Sequence, residues 1–227
     1  MDIKDRILYE DNHLIIVNKL VGELSQGDQS GDDTLVDTIK AYLKRAYNKP
    51  GNVYLGVVHR LDRPTSGAIV YAKTEKALSR LNELFRTDAV EKTYWAVVDK
   101  VPPHERGTLE HYLIKDAKSN KSRAVPKTRS GAKLARLSYE LISASANYYL
   151  LEVTLETGRH HQIRAQLEAI GLSIKGDLKY GSRRSNPDGG ICLHARTLSF
   201  IHPVKKELIT VTAPIPAGGV WQAFSSQ

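Results

Sequence analysis

The chain has 227 residues, with 33 Lys+Arg against 25 Asp+Glu, a formal charge of +8, 41% hydrophobic and 26% charged residues. That balance allows a well-buried core and excludes collagen-like and disordered classes, and no apolar run approaches the roughly 18–20 residues that span a bilayer. A single cysteine, Cys192, leaves no internal disulfide, and the N-terminus Met1-Asp2-Ile3-Lys4-Asp5-Arg6 lacks the layout of a signal peptide, so the expectation is a reduced, cytoplasmic protein without a membrane partner. Alternating residues in 6–10 and 13–18 predict two strands joined at Asp11-Asn12, followed by a looser stretch, 22–33. Leu35, Val36, Ile39 and Leu43 recur at helical spacing, with Asp33 or Thr34 placed to cap. Residues 56–60 lead into a polar turn, 61–67, and a strand over 68–73. Thr74 then caps a helix with Ala77, Leu78, Leu81, Leu84 and Phe85 on one face.

Further strands are predicted over 93–98, 134–142 and 148–156. Ile163, Leu167 and Ile170 mark a short helix stopped by Gly171. A Gly/Ser/Arg/Pro-rich loop, 176–190, precedes strands at 198–201 and 208–212, and Pro214 and Pro216 mark a domain end. Without repeats or a linker, the pattern reads as one α+β domain over 1–227.

Charge is uneven. Residues 1–58 hold 7 basic and 9 acidic groups, so the remainder carries a net +10. Within it, 115–136 holds five lysines and three arginines against one acid, Asp116, and has little to bury. This segment is expected to be a solvated arm or hairpin tip, either a plain charged loop or a grip on phosphates.

The densest chemistry lies in His59-Arg60-Leu61-Asp62-Arg63-Pro64-Thr65-Ser66-Gly67. One carboxylate stands between two guanidinium groups, which favour its anionic form and suit a nucleophile rather than a general acid. Pro64 restrains Arg63 to extended geometry and Gly67 permits a tight return. Read alone, the same residues also describe an aspartate that merely holds its own turn. His-Arg-x-Asp occurs in kinase catalytic loops, but no Gly-rich phosphate loop or Asp-Phe-Gly accompanies it here.

HRLDRPTSG at 59–67 resembles the signature of the RluA-type pseudouridine synthases. Four further blocks are similar and in the family's order: Glu91-Lys92-Thr93-Tyr94-Trp95; Gly158-Arg159-His160-His161-Gln162-Ile163-Arg164; Lys175-Gly176-Asp177 with Tyr180-Gly181; and Leu193-His194-Ala195 with His202-Pro203. One departure is Leu20, where family members often carry proline. The resemblance implies a single synthase domain with a mixed, largely antiparallel sheet flanked by helices and a central RNA-binding cleft. It leaves no room in this sequence for a separate N-terminal RNA-binding domain.

It also implies an isomerase that converts uridine in structured RNA, ribosomal or transfer, to pseudouridine. Asp62 is then the catalytic residue, Tyr94 the base-stacking and proton-transfer group, and Arg164 the partner of Asp62. Read locally, Arg164 could instead pair with Glu168 four residues on. His59, Arg60, Arg63, Thr65, Ser66, Lys92, Arg159, Ile163 and Lys175 are expected around the uridine and its phosphates, with Lys118, Lys121, Arg123 and Arg183-Arg184 gripping more distant backbone. No cofactor or metal is expected, since the reaction is redox-neutral. The adjacent His160 and His161, placed on a helix, are expected to point apart. A monomer is expected. A silent RNA-binding or ribosome-assembly factor on the same fold, and an unrelated carboxylate hydrolase, are the alternatives; the latter needs a second carboxylate about 5–10 Å from Asp62.

Overall fold

The computed structural model describes residues 2–28 and 31–225. Met1, Gln29, Ser30, Ser226 and Gln227 lie outside them, Gln29 and Ser30 falling in the looser stretch. The chain divides into two compact units, Met1–Glu91 with Ala195–Pro214, and Lys92–His194 with Ile215–Gln227.

In the first unit, β1 (Ile7–Glu10) and β2 (Leu14–Lys19) are antiparallel. Asp11 makes the turn between them, its Oδ1 accepting the backbone N–H groups of His13 and Leu14 at 2.7 and 2.9 Å. Helix α1 (Leu35–Ala46) starts on Thr34, whose hydroxyl accepts from Asp37 N while the Asp37 carboxylate accepts from Thr34 N. This reciprocal cap satisfies two backbone donors that a helix start otherwise leaves open. The short β3 (Gly56–Val57) pairs with β4 (Ser66–Ala72), and α2 (Glu75–Arg86) follows, capped by Thr74.

Strands β10 (Leu193–Ile201) and β11 (Leu208–Thr212) form a hairpin, and the strand order is β1-β2-β4-β10. All seven residues of β4 are buried, so this strand reads as a continuous small and apolar run instead of alternating. On one side, Ala77 and Leu81 of α2 share a core with Leu14, Ile16, Val70, Leu198 and Phe200. Burying a leucine such as Leu81 is worth about 1.5–3 kcal/mol.

The second unit holds β5 (Glu91–Val98), β6 (Arg106–Asp116), β7 (Lys121–Val125), β8 (Lys133–Ala144) and β9 (Tyr149–Leu155), ordered β5-β9-β8-β6-β7 through antiparallel pairs. Helix α3 (Gln162–Ala169) packs Ile163 and Leu167 into a core with Leu137, Tyr139, Leu151 and Val153. Trp221 and Phe224, from a helical turn at Gly219–Phe224 beyond the expected domain end, join the same cluster. Strands β3, β6 and β7 and this turn are additions to the sequence reading. The basic segment 115–136 comprises the end of β6, the hairpin tip, β7 and the start of β8, and so is built into the sheet. No helix among the described residues is long and apolar enough to cross a membrane.

Candidate active site

Asp62 stands half-buried in a turn tied down at almost every residue. The Ser25 hydroxyl donates to Leu61 O and accepts from Leu61 N, at 2.9 and 3.1 Å. Thr65 N donates to Asp62 O at 3.0 Å. Gly22 N donates to Arg63 O, and Arg63 Nε returns a bond to Gly22 O at 3.0 Å. The Arg63 guanidinium also pairs with Asp32 at 2.9 Å.

Beneath the turn lies Lys19, fully buried, its ammonium donating to the carbonyls of Leu20, Arg63 and Thr65 at 3.0, 3.1 and 2.7 Å. Burial pushes this amine down to about 8, against the pull of the Glu23 and Asp62 carboxylates. A buried ammonium with three carbonyl acceptors is satisfied as a donor. At the end of the turn Gly67 has φ +116°, and a Cβ there would come within 2.3 Å of Ala195 O. Only glycine fits this close approach.

The other expected residues of the first unit are engaged as follows. His59 Nε2 accepts from Val70 N at 3.1 Å, and its ring stacks on Phe85 with centroids 4.6 Å apart. Arg60 is exposed, while Thr65 and Ser66 are buried.

In the second unit, Tyr94 is half-buried on β5, packed against the core that contains Ile163, and Lys92 is buried. Arg164, on α3, is also buried. Its Nε and Nη2 donate to the two oxygens of Asp177 at 2.6 and 2.8 Å, a bidentate fork that fixes the guanidinium plane. Glu168, the local alternative partner, instead accepts from Lys121 at 2.7 Å. The Arg164 guanidinium lies 4.8 Å from the Tyr180 ring centroid. Arg159 Nε donates to Leu134 O, and Lys175 Nζ to Asn186 Oδ1, both at 2.9 Å. Lys118, Arg123, Arg183 and Arg184 are exposed.

The two histidines depart from expectation. They precede α3, with His161 in the left-handed region at φ 51°. That backbone twist stacks the rings at 3.8 Å and 21° instead of sending them apart. Their Nδ1 atoms meet Ser122 Oγ and Tyr180 Oη at 2.8 and 2.9 Å. Among the described residues no three His, Cys, Asp or Glu side chains are grouped to hold a metal. A depression of about 360 Å³ on β6, β8 and β9, lined by Arg106, Thr108, Ser138, Glu140, Glu152 and Thr154, contains none of the expected site residues.

Sequence reading missed Lys19, Ser25 and the roles of Asp177 and Tyr180. The last two sat inside matched blocks, whereas Lys19 and Ser25 act across more than 30 residues of chain.

An α+β molecule of antiparallel sheet and few helices, with an aspartate on a rigid turn and a clamped arginine, has a known counterpart. The fold is that of an RNA pseudouridine synthase: the solved structure of human RNA Pseudouridylate Synthase Domain Containing 4 matches with a TM-score of 0.81 at 24% identity, over 98% of this chain and 93% of that one. The chain belongs to the RNA pseudouridylate synthase family, which it matches over residues 13–169. It is 37% identical over 215 residues to an uncharacterised RNA pseudouridine synthase of Synechocystis, covering 93% of this chain and 65% of that protein. It is also similar to ribosomal large subunit pseudouridine synthase D of Zymomonas mobilis, with 32% identity over 225 residues, 95% of this chain and 70% of that protein. The chain thus spans about two thirds of the length of these relatives.

Proposed function

We propose that this protein isomerises uridine to pseudouridine in structured RNA, with Asp62 as the residue that opens the glycosidic bond. The reaction breaks the bond from N1 of uracil to C1′ of the ribose and forms one from C5 to C1′. C5 loses a proton and N1 ends protonated, so no oxidant, metal or nucleotide is consumed. Tyr94, with a flat ring and a hydroxyl, stacks on the base and serves the proton transfer. Arg164, its guanidinium plane fixed by Asp177, serves the same reaction. The observation that carries this reading is the turn itself: Asp62 is half-buried on a backbone locked by Lys19, Ser25 and Gly67, within the matched family region. Such rigidity is what a positioned nucleophile requires, because a misplacement of about 1 Å can cost roughly 10²-fold in rate.

The substrate is a ribosomal or transfer RNA loop from which the uridine flips, at a cost of a few kcal/mol offset by phosphate and stacking contacts. Two relatives bear the name of ribosomal large subunit pseudouridine synthase D, and one that of synthase C, which favours ribosomal RNA. The protein acts as a monomer.

The test is nucleoside chromatography of unmodified ribosomal and transfer RNA transcripts after incubation, wild type beside Asp62→Asn. Pseudouridine with wild type and none with the variant, at equal RNA affinity, is the expected result. Equal product from both would remove Asp62 from the chemistry. Tight binding without product from either would leave a silent RNA-binding protein.

A further inference from the structure

The basic hairpin and the Arg164 clamp meet at one side chain, Tyr180. Its ring is almost fully buried. The hydroxyl accepts from Ser122 N at 2.8 Å and donates to Ser122 O at 3.1 Å, and His161 Nδ1 lies 2.9 Å away. A phenol has one proton and two acceptor sites. With its proton on the Ser122 carbonyl, it accepts from Ser122 N–H and from His161 Nδ1–H, so all three bonds are satisfied at once.

The ring itself carries two cations, the Arg164 guanidinium carbon at 4.8 Å and Lys121 Nζ at 4.6 Å from its centroid. Tyr180 also belongs to the same helical turn as Asp177, since Tyr180 N donates to Asp177 O at 3.0 Å. Arg164 is therefore held between a carboxylate and a ring from one turn. That ring is bolted by its hydroxyl to β7, and Arg123 on that strand and Lys118 in the turn before it are exposed.

We propose that Tyr180 is a positioning residue that ties the placement of Arg164 to the β6–β7 hairpin, so that RNA backbone seated on Lys118 and Arg123 sets the arginine for the reaction. This rests on the reading that Arg164 serves pseudouridine formation and that the hairpin meets RNA. Ordinary packing of a tyrosine would stabilise the unit without linking these two events.

Three proteins separate the cases: Tyr180→Phe, the hairpin pair Lys118→Ala/Arg123→Ala, and their combination. Each is assayed for kcat on saturating transcript, RNA dissociation constant and Tm. Tyr180→Phe keeps the ring over Arg164 and loses the bolt, so kcat falls on the order of tenfold with affinity changed less than about twofold. The hairpin pair, an exposed double change that leaves the core intact, lowers affinity and also lowers kcat about threefold. In the combined variant the hairpin changes no longer lower kcat further, the non-additivity expected of one coupled unit. Unchanged kcat in the hairpin pair, or additive losses in the combination, overturns the proposal even if Tyr180→Phe folds poorly. Absence of product from the wild type would instead refute the underlying functional reading.

Discussion

Lys19 shows how one buried side chain can set the backbone geometry of the turn that carries Asp62. Its ammonium reaches three carbonyls, two of them on the turn that bears Asp62. Replacing it with methionine keeps most of the volume but removes this buried donor from Leu20 O and Thr65 O, while Arg63 O keeps Gly22 N. Each unsatisfied group costs about 1–3 kcal/mol, so Lys19→Met should lower stability by about 2–4 kcal/mol and depress turnover more than RNA binding. Urea unfolding followed beside the chromatographic assay checks both. A pH signature belongs to the same residue. Burial holds the folded amine at about 8, below its ordinary 10.5, so the unfolded chain binds more protons between those values. The contribution of Lys19 to stability is thus present above about 10.5 and is lost as pH falls through about 8. The stability difference between wild type and Lys19→Met should rise from pH 8 to pH 10 and stay flat below 8. A difference that is level throughout would mean the amine titrates normally.

At the scale of elements, legibility in the sequence follows what each strand buries. Strand β2 and helix α2 announce themselves, because Leu14–Val17 and Ala77/Leu81 face apolar cores. Strand β7 does not, because its one fully buried residue is Ser122, held by Tyr180 rather than by hydrophobic contact. Strand β6 alternates exposed and half-buried residues over most of its length, leaving only Leu113 fully buried. The motifs likewise marked Asp62, Tyr94 and Arg164 as candidates. What they could not show was the Arg164 fork on Asp177, which depends on how the chain returns 13 residues later.

The β1–β2 turn offers a test at this scale. Burial pushes the Asp11 carboxyl up, but the His13 and Leu14 N–H groups, with Lys205 and Tyr9, outweigh it and hold the group well below the carboxylate range. His202 Nε2 stands 3.0 Å from it, while His202 Nδ1 accepts from Val204 N and Lys205 N. This cluster ties β1–β2 to the β10–β11 hairpin of the same unit. Asp11→Asn keeps an acceptor for the turn but loses the charge, and should cost about 1–2 kcal/mol near pH 7. A depressed carboxylate stabilises above its unfolded value and loses that contribution as pH falls through its folded one. The gap between variant and wild type in urea should therefore narrow as pH drops below about 4. A gap that widens there would contradict the assignment.

Charge is divided unevenly over the whole molecule. The second unit holds 17 basic against 10 acidic side chains, a net +7, whereas the first is near balance with 16 against 15. Some of that excess is internally neutralised: Arg164 by Asp177, Lys121 by Glu168 and Arg106 by Glu140. The exposed remainder concentrates on the hairpin and at Arg183-Arg184. A polyanion bound there displaces condensed counterions, so the logarithm of affinity should fall linearly with the logarithm of salt, by about 0.7–0.9 per phosphate contacted. Replacing Lys118, Lys121 and Arg123 together with glutamine should reduce that slope by about 1.4–1.8, the share of Lys118 and Arg123 since Lys121 already pairs with Glu168, and weaken binding far more than turnover at saturation. Asp62→Asn should leave the slope untouched, since the role proposed for it is in the bond exchange and not in the backbone grip. Binding isotherms at four or five salt concentrations distinguish these outcomes. An unchanged slope in the triple variant would move the RNA backbone off the hairpin and onto another face of the second unit.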